Sequence, residues 1–412
     1  MTLVDTGTGF SDHATHVAGT IAANGTGNPA AGGMASQINL RSYSSDNDID
    51  ELGKDAGLIV ASNHSYGLAK GWTIGRQARE LASGATSNNT DVWLGDYSIS
   101  PTEDTKFGKY GDKSRDLDQI LFDNPNLLSV WSAGNERNLN ERFTNRNGTN
   151  MFVTYFGSDP GIPDFNWSFG VGWYQVATNI VAPPGRDGNG GTGFDSLGDD
   201  KVAKNNLVVG AINDITLDPY SAAIVNEARF SSRGQTDDGR VKPDVVANGN
   251  MLFSSFGQSD TAYGSLRGTS MAAPNVTGTA ALLIQHYQNL FDAAPRSATK
   301  GLLIHTATDA GNVGPDYSFG WGVVNAEAAA NFLTNSNNSN SQSFLTERTY
   351  TGSEQVISVE SDGTNPLKVS LVWTDPAGTP QRAGLDVNTP VLVNDLDIRV
   401  DDPNGVTHYP WT

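Results

Sequence analysis

Apolar residues in this 412-residue chain gather into short runs separated by long polar stretches rich in glycine, asparagine and aspartate. Near-continuous apolar runs without polar alternation read as strands buried on both faces, as in a parallel sheet. Leu58-Ile59-Val60-Ala61, Leu127 to Trp131 and Asn206 to Ala211 are of this kind, and Ile38-Asn39-Leu40, after Gly33-Met34-Ala35, suggests another strand. Spacing turns helical at Val17, Ala18, Ile21 and Ala22, with Ser11 and Asp12 as cap and Asn24-Gly25 as stop. Leu117 to Phe122 reads as the end of a second helix, closed near Asn124-Pro125. A third, carrying Ala280 to Leu283, follows Gly268 and is apolar enough to be buried.

The remaining segments organise the chain. Residues Trp72 to Arg115 mix charge, glycine and asparagine and read as surface elaboration, and Glu136 to Ala203 as a folded insertion with its own aromatic cluster. Thr334 to Ser343 is polar low complexity, expected to be a linker. Beyond it, Val356 to Val359 and Leu367 to Trp373 alternate like strands. The expected division is therefore 1–333, an α/β domain; 334–343, a linker; and 344–412, a smaller all-β domain.

Charge and composition narrow the partners. With 26 Lys plus Arg against 45 Asp plus Glu, the net charge of −19 excludes nucleic acid and anionic membrane as expected partners. No apolar run approaches the roughly 20 residues of a spanning helix. Cysteine is absent, which removes disulfides and thiolate metal sites. Met1-Thr2-Leu3-Val4-Asp5 lacks the basic start and apolar stretch of a signal peptide.

Chemistry concentrates at Gly268-Thr269-Ser270-Met271-Ala272-Ala273-Pro274. Small residues let the helix sit close to a sheet, and Ser270 at its first turn lies beside free amide hydrogens and the positive end of the helix dipole. Pro274 cannot donate to the Ser270 carbonyl, so an irregular first turn is expected. The heptapeptide matches the serine motif of the subtilisin-like serine proteases. Two further motifs of that family precede it in order: His13-Ala14-Thr15-His16-Val17-Ala18-Gly19-Thr20, with alanine for the usual glycine at position 14, and Ser132-Ala133-Gly134-Asn135. The resemblance covers roughly residues 11–332.

It implies a three-layer sandwich around a mostly parallel sheet, followed by an incomplete jelly-roll-like domain as in some alkaline subtilases. It also implies a serine endopeptidase, with Ser270 as nucleophile, His13 as general base and Asn135 in the oxyanion hole. Ser65-Tyr66-Gly67 resembles the segment that binds substrate as an antiparallel edge. His16 is expected to be a packed core histidine and His64 to be structural. The implied partners are protein or peptide substrates, the implied location is extracellular, and a monomer is expected. A non-catalytic binding or adhesion module on the same scaffold is the competing reading.

Two expectations concern what the motifs leave open. Asp5-Thr6-Gly7 resembles the family's aspartate motif, yet only seven residues separate Asp5 from His13, fewer than the dozen or more a parallel crossover takes. Thr2 to Phe10 is therefore expected to be a loop, and the chain a fragment truncated at both ends, with the triad aspartate upstream; Asp5 as that aspartate is the alternative. No cofactor is required for the chemistry and no metal ligand is assigned; any calcium would be structural. Asp187, Asn189, Asp195 and Asp199 form a candidate calcium loop, but Gly191 stands where the EF-hand pattern needs an oxygen ligand. Asp395, Asp397, Asp401 and Asp402 read first as surface charge.

Overall fold

The computed structural model of the chain describes residues 1–5, 11–67, 70–80, 86–93, 95, 99–100, 103–137, 154–155, 172–176, 193–216, 222–338, 343–382 and 384–411. In chain order the elements begin β1 (Thr2–Leu3), α1 (Asp12–Ala22), β2 (Arg41–Ser42), α2 (Asp48–Asp55), β3 (Ala61–His64), β4 (Trp72–Glu80), β5 (Thr86–Trp93), α3 (Asp112–Asp123) and β6 (Leu128–Ser132). Then come β7 (Thr154–Tyr155), β8 (Gly172–Val176), β9 (Leu207–Ile212), β10 (Val245–Asn248), β11 (Leu252–Ser255) and β12 (Tyr263–Leu266). The series closes with α4 (Thr269–Phe291), α5 (Ala298–His305), α6 (Ala326–Ser336), β13 (Val400–Asp401) and β14 (Thr407–His408).

The centre is a four-stranded parallel sheet in the order β10-β9-β6-β3. Every residue of β6 and β9 is buried, as the unbroken apolar runs require of strands covered on both faces. One face carries α4, whose Ala272, Ala273, Val276 and Ala280 join Val130, Val209 and Val245 in one core. The other carries α3, which seats Leu117 and Leu121 against Trp131 and Val208. Helix α1 packs on α4, so the first turns of two helices can share one end of the sheet.

Several strand expectations shift. The third strand is Ala61–His64 and not 58–61; Leu58 is exposed, because the chain enters the sheet only where its backbone meets β6, Ala61 opposite Leu128. The strand expected at Ile38-Asn39-Leu40 forms later, at Arg41–Ser42. Thr2–Leu3 is a strand, parallel to it, where a loop was expected. The two elaborations meet: β4 pairs antiparallel with β5 and parallel with β8, and β8 pairs with β7, so these four strands form one sheet.

In the last segment the strands expected at 356–359 and 367–373 do not form among the described residues. Val356, Val359, Leu367 and Val369 are exposed, and alternation without a backbone partner cannot hold a ladder. Pairing there is limited, among the described residues, to the β13–β14 hairpin. Helix α6 runs to Ser336, into the expected linker. Residues 374–394 are built into the α/β body: Val391 joins its core, and Lys204 Nζ, 3% exposed, donates to Asp375 Oδ2 at 2.6 Å and to the Pro376 and Val391 carbonyls.

Candidate active site

Ser270 lies in the first turn of α4, just after Gly268, whose φ of 146° is open to glycine and strained for other residues. Pro274, inside the helix, has no N–H for the Ser270 carbonyl. That carbonyl is taken instead by the Ser65 hydroxyl at 2.9 Å, and the Ser270 hydroxyl donates back to the Ser65 carbonyl at 3.0 Å. The expected irregularity thus frees one carbonyl, while the helix continues to Phe291. Thr277 Oγ1 bonds Asn63 Oδ1 at 2.9 Å, fixing the exit of β3 against α4 a second time.

Asn135 follows the carboxyl end of β6, where open α/β sheets place ligands. Its Oδ1 accepts from Thr269 N at 2.9 Å and from Thr269 Oγ1 at 3.2 Å, and Thr269 Oγ1 in turn accepts from Gly134 N at 3.1 Å. With the carboxamide oxygen committed to the residue before Ser270, the Nδ2 group is the part left to donate. Ser65, Asn135 and Ser270, from segments far apart in sequence, are joined by these bonds.

His13 is on the first turn of α1, capped by Ser11, whose hydroxyl accepts from Ala14 N. Its ring is exposed, yet the protein around it desolvates the imidazolium and lowers its pKa, which favours the neutral base. Among the described residues the imidazole makes no hydrogen bond, and the Ser270 hydroxyl is bonded to Ser65. Asp12 does more than cap: it accepts from Gly257 N at 3.0 Å and Gln258 Nε2 at 2.7 Å, tying α1 to the β11–β12 hairpin. Asp5 accepts from Ser44 N with both oxygens, at 2.9 and 2.8 Å. His16 is fully buried and bonded through Nε2 to the Leu252 carbonyl at 2.9 Å.

The Tyr66 and Gly67 backbone is backed by charge that motif reading does not find. Lys201, buried, donates to the Tyr66 carbonyl and lies 3.4 Å from Asp200, which Lys70 holds at 2.6 Å. A methyl group on Gly67 would come within 2.8 Å of Lys201 Nζ and 2.9 Å of Asp200 Oδ2, so a larger residue there would push these side chains aside. Burial would raise the Asp200 pKa, but Lys201 and Lys70 outweigh it and keep the carboxylate charged; burial lowers that of Lys201. Glu136, whose pKa burial raises, accepts from Ser232 Oγ at 2.8 Å beside Gly134. His64 is structural: it stacks on Trp131 with centroids 4.2 Å apart and planes at 7°, its Nδ1 2.7 Å from Tyr66 Oη. The signal for this layer was thin, an Asp-Asp-Lys run at 199–201 inside a polar tract.

Of the candidate calcium residues, Asp187 and Asn189 lie outside the described residues, and Asp199 pairs with Lys70 at 3.0 Å. Asp395, Asp397 and Asp401 are exposed. Asp402 accepts from Asn404 N and Val406 N and closes a turn.

A parallel sheet flanked by helices, with a serine heading the central helix and an asparagine clasped to it, defines the class: an α/β protein of subtilisin-like architecture. The chain belongs to the subtilase family, a family of serine proteases, whose model matches residues 4–322. It is 32% identical to subtilisin DY of Bacillus licheniformis over 157 residues, which are 38% of this chain and 48% of that protein. It is 26% identical to an extracellular serine protease of Serratia marcescens over 347 residues, 78% of this chain and 28% of that one. The chain thus spans about half or less of these curated relatives. A solved lanthipeptide protease aligns with TM-score 0.41 and 16% identity, covering 78% of this chain and 75% of its own.

Proposed function

We propose that the chain carries the working parts of a serine endopeptidase that cleaves peptide bonds through an acyl-enzyme on Ser270. His13 takes the hydroxyl proton as Ser270 attacks the scissile carbonyl, and returns it to the leaving amine. Asn135 Nδ2 and the Ser270 N–H receive the negative charge that develops on the carbonyl oxygen. Ser65-Tyr66-Gly67 offers its backbone to an extended protein or peptide substrate. The chemistry calls on no cofactor, and the protein acts outside the cell as a monomer; the Serratia relative's name, extracellular serine protease, supports that location. The observation that supports the reading is the clasp of Asn135 on Thr269, the residue before Ser270.

One observation favours a weaker enzyme, or a binding module on the same scaffold: the Asp5 carboxylate is bonded to Ser44 N, and His13 has no hydrogen-bonded orienting partner among the described residues. In subtilisin, loss of the triad aspartate alone costs turnover of the order of 10⁴. A serine-directed phosphonate separates the readings. Covalent labelling of the wild type, lost in Ser270→Ala, supports the nucleophile; absence of labelling alongside a folded spectrum supports the binding module. Turnover of a fluorogenic peptide at ordinary protease rates, abolished by Asp5→Ala, would instead assign Asp5 to the triad.

A further inference from the structure

Two backbone segments flank Ser270, and both are tied to its turn. Ser65, at the exit of β3, exchanges bonds with Ser270, and Gly134-Asn135, at the exit of β6, bonds with Thr269. Because β3 and β6 are neighbours in the parallel sheet, these exits lie side by side. Each carries a glycine where a side chain would run into buried charge. A methyl group on Gly67 would lie 2.8 Å from Lys201 Nζ and 2.9 Å from Asp200 Oδ2, and one on Gly134 would strike the Glu136 carboxylate. Asp200 is 1% exposed. Its Oδ1 is held by Lys70 at 2.6 Å, but among the described residues Oδ2 receives no hydrogen bond: Lys201 Nζ stands 3.4 Å from it and donates to the Tyr66 carbonyl.

The charges around this point do not balance among the described residues. Asp199, Asp200 and Glu136 stand against Lys70 and Lys201, while Lys113, which also acts on Asp200, is paired with Asp48 at 2.8 Å. A buried carboxylate oxygen without a donor is costly, and a cation brought in from outside removes that cost. Resting on the protease reading above, we propose that Asp200, with Glu136 beside it, selects a lysine or arginine side chain on the substrate residue whose carbonyl Ser270 attacks. With that residue extended along Ser65-Tyr66-Gly67 and its carbonyl oxygen at Asn135, its side chain falls between the two exits. Neither Gly67 nor Gly134 has a Cβ to stand between it and the carboxylates. An acidic side chain there would instead face Asp200 and Glu136 at close quarters, which like charges resist.

The test treats the whole chain with peptidyl phosphonates of one sequence that differ only in the side chain next to phosphorus: lysine, arginine, leucine or glutamate. Rates are compared on one protein, so a nucleophile slowed by an unoriented His13 leaves their ratios unchanged. The lysine and arginine probes should label Ser270 about tenfold faster than the leucine probe or more, and the glutamate probe should be slowest. Asp200→Asn should remove most of that ratio. Gly67→Ala keeps every charge but sets a methyl group against Asp200 Oδ2 and Lys201 Nζ, and should lower the ratio as well; it serves if loss of the Lys70 partner keeps the first variant from folding. Leucine or glutamate probes that label as fast as the lysine probe would overturn the proposal and leave the nucleophile standing, as would an unchanged ratio in either folded variant. Labelling by none of the probes would overturn the protease reading and this inference with it.

Discussion

At the scale of single residues, His64 offers a sharp test because burial dominates its surroundings. Burial against Trp131, opposed by Asp48 and assisted to a smaller degree by Lys201 and Lys113, lowers its pKa from 6.5 to about 3. The unfolded chain therefore takes up this proton first as pH falls. His64 adds stability that is complete above pH 6.5 and is lost from there down towards about pH 3, at about 1.4 kcal/mol per pH unit. Urea unfolding at pH 7, 6 and 5 should show a steep loss in the wild type and a slope shallower by about that amount in His64→Asn. Equal slopes would mean the ring is reached by water. The structural character of His64 could be read from the sequence, since it falls outside the three motifs, and the burial of His16 from its place one turn after His13. The position of Asp5 could not: its bond to Ser44 depends on strand pairing across 39 residues.

At the scale of elements, Pro274 and Ser65 form one device. The proline leaves the Ser270 carbonyl without its helical donor, and the Ser65 hydroxyl supplies one from β3's exit. Ser65→Ala should therefore cost about 1–3 kcal/mol, the penalty of an unsatisfied buried carbonyl. In a Pro274→Ala background, which restores the helical N–H, the same change should cost clearly less. Denaturant midpoints of the four proteins in this cycle measure the coupling, and additivity would refute the device. The helices and the strands β6 and β9 were legible because their own apolar patterns decide them. Leu58 to Ala61 misled because an apolar run marks burial propensity and not the residue at which pairing begins. Val356 to Val359 misled because alternation describes a strand only where a neighbouring backbone exists. The sheet joining β4 and β5 to β7 and β8 is a long-range pairing with no local signature.

At the scale of the whole molecule, the polar joint between residues 374–394 and the α/β body is a specific attachment. Asp375 accepts from Lys204 Nζ and from Val393 N and Asn394 N at 2.9 and 2.8 Å, while Asp118 accepts from Tyr110 Oη and the backbone of Lys204 and Asn205. Asp375→Ala strands a buried ammonium and should cost about 3–5 kcal/mol, read as a fall in Tm, whereas an apolar pair at 204 and 375 should recover much of it. The same joint changes what an asparagine-rich seam at 334–343 means. A polypeptide ended at that seam would keep His13, Asn135 and Ser270 and still lose Val391 from its interior and the counter-ion of Lys204. Excision of the tail is thus expected to yield aggregating material, because it uncovers the interior around Val391 and leaves Lys204 without its carboxylate.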